Sequence, residues 1–131
     1  VFILLSPPRR HQLMTAIRIL LAWLALTISA STLASQTAEA EIEYLLHYVE
    51  ESGCLFIRND GEHDSPSAAS HLRLKYSRGK RYVNSAEQFI DRLASESSWT
   101  GKTYQVSCEG KTEPAGDWLH RALAQHRDPA A

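Results

Sequence analysis

A ten-residue run, Ile19 to Ile28, apolar but for Thr27, decides how much of this chain is free to fold in water. Arg18 stands directly before it, and a small, polar stretch from Ser29 to Ser35 follows. Crossing the hydrocarbon of a bilayer takes about 20 apolar residues, so the run is too short for a span. A basic segment, a short apolar core and a small-residue end together describe a secretory signal peptide. Met14 is the single methionine and stands just before the basic segment. Residues 14–34 are therefore expected to be the signal peptide, and residues 1–13 an upstream artefact of start assignment. Cleavage is expected after Ala34, with the Ala38-Glu39-Ala40 triplet as a second choice. An uncleaved anchor is the alternative, disfavoured by the length of the run. What is left, residues 35–131, is expected to be one mature domain in the periplasm, with no stable membrane span after cleavage.

Composition then narrows the function classes. The whole chain is 44% hydrophobic and 22% charged, as in ordinary globular proteins. Its first 34 residues hold three Arg and no acid, so the remainder carries 11 basic and 15 acidic residues, a net −4. That balance argues against a dedicated nucleic-acid binder, which needs a basic surplus. Two cysteines exclude a four-thiolate zinc site and a disulfide-dense scaffold.

Periodicity places the elements. Ile42, Leu45, Leu46 and Val49 follow helical spacing, which predicts a helix over Glu39 to Ser52 ended by Gly53. Cys54 to Arg58 reads as a strand closing on an Asn59-Asp60-Gly61 turn. Ser65-Pro66 reads as the N-cap and first residue of a second helix, which Gly79 stops. Ser85 and Gln88 form a capping box for a third helix carrying Ala86, Phe89, Ile90, Leu93 and Ala94 on one arc. Ser95 to Lys102 reads as a loop, and Tyr104, Val106 and Cys108 alternate as a strand does. Glu109 to Gly116 reads as a polar loop before a last helix, Asp117 to Arg127. The expectation is an α+β domain in the order α-β-α-α-β-α, without internal repeat, its helices packed on a two-stranded antiparallel ribbon. Setting Cys54 opposite Cys108 puts Phe56 opposite Val106 and Arg58 opposite Tyr104. In an exported chain that register makes Cys54–Cys108 a structural disulfide.

At FIRNDGEH (Phe56 to His63), HLRLKY (His71 to Tyr76), SAEQFID (Ser85 to Asp91) and SSWTGKTY (Ser97 to Tyr104), the chain resembles the YfeK-like family of small secreted bacterial proteins. The resemblance covers nearly all of residues 35–131. It implies a periplasmic location and one compact domain of unknown function, and it implies no reaction. Two departures fall in loops: the family's Arg-Asn-Gly has its Gly one position later here, at Gly61, and Thr103 stands where the family has Pro.

The candidate functional cluster is Arg58, Asn59, Glu62, His63, His71, Ser97 and Ser98. Glu62, His63 and His71 are the only clustered side chains of metal-ligating type, but their spacing matches no established zinc signature. Ser97 or Ser98 with His71 as base would make a nucleophile pair, although no strand-Ser-helix elbow surrounds them. The plainer expectation for His71, beside the stripe of Ala68, Leu72 and Tyr76, is a half-buried ring bonded to the Asn59 to Glu62 turn. Arg73, Lys75, Arg78, Lys80 and Arg81 form a basic run able to attract anionic lipid, a glycan or an acidic partner, or simply a solvated helix end. No catalytic set and no cofactor is expected. The leading reading is a non-enzymatic periplasmic binding or interaction module whose partner is a periplasmic protein or an anionic ligand. The alternative is a small hydrolase or metal-dependent enzyme using Glu62, His63 and His71.

Overall fold

The computed structural model describes residues 34 and 37–130; the expected signal peptide, apart from its last residue, lies outside them. Helix α1 runs over 37–51. Its stripe of Ile42, Leu45, Leu46 and Val49 is wholly buried, as the spacing requires. Gly53 follows at φ +67°, the left-handed position that ends a helix at low cost only for glycine.

Two β-hairpins come next, one in each half of the chain. Strand β1 (Leu55–Arg58) turns through Asn59 and Asp60 into β2 (Gly61–His63). Strand β3 (Gln105–Cys108) turns through Glu109 and Gly110 into β4 (Lys111–Pro114). All four turn residues have positive φ, as a two-residue type I′ turn demands. The strands form one antiparallel sheet in the order β2-β1-β3-β4. The central register pairs Phe56 with Val106, as expected, and the ribbon is widened by an edge strand on each side. The expected loop over Glu109 to Gly116 is thus corrected: it holds β4 and the start of the last helix. Both edge strands lack an apolar alternation, and that is why periodicity passes over them.

Each hairpin feeds a helix that packs on the sheet. Helix α2 (Ser65–Gly79) is capped by Asp64, whose side chain accepts from the Ser67 backbone N–H at 2.9 Å. Ser65 is therefore not the N-cap. It is buried, and its hydroxyl donates to the Cys54 carbonyl at 2.8 Å, joining α2 to the start of β1. A 3₁₀ turn (Lys80–Tyr82) follows, so Gly79 does not end the helical path in a left-handed cap; its φ is −104°. A Cβ there would sit 3.2 Å from Leu93, so the glycine serves close packing.

Helix α3 (Ala86–Phe89) opens on the expected box: Ser85 Oγ accepts from Gln88 N at 3.1 Å, and Gln88 Oε1 accepts from Asn84 N at 2.8 Å. It widens into a π-helical turn (Ile90–Ala94), where Ser95 Oγ donates to the Ile90 carbonyl at 2.7 Å. Helix α4 (Ala115–Arg127) starts two residues earlier than its sequence suggests. Arg127 bridges Glu41 of α1 and Glu87 of α3, tying the three helix ends together.

The two halves correspond at a constant offset, which corrects the expectation of no repeat. Leu55 and Gln105 start the hairpins, Asn59 and Glu109 start the turns, and Ser65 and Ala115 start the helices, each pair 50 positions apart. Phe56 and Val106, Ala68 and Trp118, Ala69 and Leu119, and Leu72 and Ala122 are buried at matching places. No residue is identical between 55–78 and 105–128, so sequence comparison within the chain finds nothing. What breaks the correspondence is the segment entering each hairpin. Three residues join α1 to β1, whereas residues 95–104 join the π turn to β3.

The disulfide Cys54–Cys108 forms, with Cα atoms 4.8 Å apart, and closes one end of the β1–β3 pair. Among the described residues no helix is long and apolar enough to cross a membrane.

Candidate functional site

At the other end of β1–β3, the next step of the register brings Arg58 and Tyr104 side by side. This end carries no covalent closure. Helix α2 covers it with His71, Leu74, Lys75 and Arg78, which share one face by their i, i+3, i+4, i+7 spacing. The long 95–104 connection forms the opposite wall. Between them lies a cleft of about 350 Å³ lined by Arg58, Asn59, His71, Lys75, Arg78 and Trp99, with Ser97, Ser98 and Tyr104 beside them.

The loop wall is held by its own chemistry. Ser97 is buried, and its hydroxyl accepts from the backbone N–H of Trp99 at 3.3 Å and of Thr100 at 3.4 Å. Gly101 N–H donates to the Ser97 carbonyl, and its φ of +70° demands glycine. Two contacts then fasten the loop to the first hairpin turn: Thr100 Oγ1 donates to Asn59 Oδ1 at 2.8 Å, and Lys102 Nζ pairs with Asp60 at 2.7 Å. Tyr104 is fixed through both backbone groups, its N–H to the Ser95 carbonyl and its carbonyl to the Ala115 N–H, each at 2.9 Å. Three of the four blocks that resemble the YfeK-like family therefore meet here. SAEQFID instead supplies core.

The floor of the cleft is cationic. Arg58 Nη1 lies 2.6 Å from Nδ1 and 2.8 Å from Nε2 of His71. A guanidinium only donates, so the imidazole must accept and stay neutral. Burial, then Arg58, then Lys75 and His63, push the His71 pKa down to about 4. Lys75 Nζ donates to the Glu96 carbonyl at 3.0 Å and to Tyr104 Oη at 3.2 Å, and sits 4.9 Å from the Tyr104 ring centre. Burial and Arg58 lower the Lys75 pKa, against the opposing pull of the Glu96 carboxylate. Burial raises that of Tyr104. Arg58, Lys75 and Arg78 form no ion pair with a carboxylate among the described residues.

Five of the seven candidate residues, Arg58, Asn59, His71, Ser97 and Ser98, line this one cleft. His63 faces a smaller inner cavity of about 30 Å³, room for about one water, with Arg58, His71 and Phe56. Glu62 does not join them. It follows Gly61 on a strand, so it points to the opposite face from His63, which is paired with the core-facing Phe56. The Glu62, His63 and His71 constellation therefore does not assemble, because a turn was expected where a strand exists. Among the described residues, no group of three His, Cys, Asp or Glu side chains is placed to hold a metal ion. His71 makes no hydrogen bond to Ser97 or Ser98; it contacts Arg58 and, at 3.4 Å, Tyr104 Oη. It ties β1 to α2 as expected, through Arg58 rather than through the turn. Sequence reading left out Trp99 and Tyr104, and took Lys75 and Arg78 only as members of a basic run. The spacing of His71, Lys75 and Arg78 along one helix face is the signal that could have singled them out.

No solved structure matches the chain. It is 42% identical over 82 residues to the uncharacterised protein YfeK of Salmonella typhimurium, an alignment covering 62% of this chain and 68% of that protein. Residues 36–127, which hold both hairpins and every cleft residue, match the model of a family of unknown function, DUF5329, and the chain belongs to that family.

Proposed function

We propose that this protein is an exported, non-catalytic binding module whose cleft receives an anionic ligand. The observation that carries the reading is the unpaired set of Arg58, Lys75 and Arg78 around one concavity. Elsewhere on the described surface Arg73, Lys80, Lys102, Arg121 and Arg127 each pair with a carboxylate, while Arg81, Arg92 and Lys111 do not and line no part of this cleft. Concentrating unpaired cations at one place in a domain of net −4 costs self-repulsion, which an anion would relieve. Lys75 keeps one N–H beyond its two protein acceptors, and Arg58 has donors beyond the one facing His71. Export is supported by the apolar run behind Arg18 and by the disulfide, a bond typical of oxidising compartments.

Calorimetric titration at low ionic strength with inorganic phosphate, pyrophosphate and glycerol 3-phosphate tests this. Binding of at least one, weakened in Lys75→Gln, is expected. A ligand at 100 times its dissociation constant would also stabilise the fold by about 2.7 kcal/mol. Absence of heat and of any thermal shift with all three would overturn the reading.

A further inference from the structure

The cleft has apolar lips on both walls, and a small soluble anion would leave them in water. Trp99, on the loop wall, is 96% exposed, and Leu74, on the α2 wall, is 47% exposed. The described residues hold four exposed large hydrophobic side chains, so half of them stand at this one rim. Between the lips lie Arg58, Lys75 and Arg78. Tryptophan and basic side chains combine in this way where protein meets a bilayer: the indole sits at headgroup level with its apolar body inward, and cations meet the lipid phosphates. Arg78 is exposed, and three residues further on the guanidinium of Arg81, also exposed, lies 4.9 Å from the centre of the exposed Tyr82 ring. Resting on the anionic-ligand reading above, we infer that the cleft and its lips dock on an anionic phospholipid surface. A headgroup phosphate enters between Arg58, Lys75 and Arg78 while Trp99 and Leu74 enter the interface.

Co-sedimentation of the purified protein with phosphatidylglycerol vesicles, and with phosphatidylcholine vesicles, tests it. Arg78 and Trp99 make no side-chain contact that the fold depends on, so Arg78→Gln and Trp99→Ser leave the domain folded. The expected result is binding to phosphatidylglycerol that weakens with salt and with either substitution, about fivefold for Arg78→Gln, since one surface cation contributes about 1 kcal/mol. Emission from Trp99 shifts to the blue on binding, a change missing in Trp99→Ser. Binding to glycerol 3-phosphate without binding to either vesicle would overturn the lipid inference and keep the anion site. Vesicle binding unchanged in both variants would overturn it too. Binding to neither soluble anion nor vesicle would remove both readings.

Discussion

Arg58 places a guanidinium nitrogen 2.6 Å from a ring nitrogen of His71, so a strand end and a helix meet through a cation and an imidazole that must stay neutral. The pair organises the cleft. It holds the Arg58 stem against α2, and it makes the site sensitive to acid, because a protonated ring would face Arg58 and Lys75 as a third positive charge.

The folded pKa of His71, about 4, lies below its ordinary value of 6.5. The unfolded chain therefore takes up the proton first, and stability falls as pH drops from 6.5 toward 4, then levels off. Because the ring is partly in contact with solvent, the loss should be about 1 to 2 kcal/mol rather than the full unscreened value. Urea unfolding across this range should show that slope in the wild type. His71→Gln, which keeps a neutral acceptor, should flatten it, and an unchanged slope would mean that another group is responsible.

The disulfide should carry much of the domain's stability. It closes a segment with a sequence separation of 54, for which chain entropy gives about 4 kcal/mol. Cys54→Ala with Cys108→Ala should lower the melting temperature sharply while leaving the central register intact. Free thiols titrating in denatured, unreduced protein would show that the bond is not made.

Gly116 lies in the first turn of α4, where alanine would ordinarily help a helix by about 1 kcal/mol. Here a Cβ would lie 2.5 Å from Ser95 Oγ. Moving that hydroxyl breaks its bond to the Ile90 carbonyl, which ends the π turn. Gly116→Ala should therefore destabilise by about 1 kcal/mol, and the penalty should shrink when Ser95→Ala is added. Thermal denaturation of the two variants measures both.

Export predicts a mature N-terminus at or near Ser35. Mass spectrometry of the protein recovered from fractionated cells should find it in the periplasmic fraction. Recovery from the membrane with residues 19–28 attached would count against cleavage.

The helices were legible because their signals are local. Ile42 to Val49 and Ala86 to Phe89 each complete an apolar stripe within two turns, and Ser85 with Gln88 marks a start. The central register was legible as well, since a single choice aligned both cysteines and paired Phe56 with Val106. Strands β2 and β4 were not. An edge strand bonds one neighbour and exposes one face, so Gly61–His63 and Lys111–Pro114 fold as strands without an apolar pattern, held by the turn geometry beside them.

The sequence by itself determined the α+β class, the helices, the central register and five of the residues that line the cleft. Only the tertiary structure decided that the two halves repeat one another, that Glu62 faces away, and that Trp99 and Tyr104 belong with Arg58. The reason is physical: periodicity reports which face of an element is buried, and no local rule reports which elements share that burial. The cleft draws on residues from Arg58 to Tyr104, and they come together only when a long second connection folds over the end of a sheet.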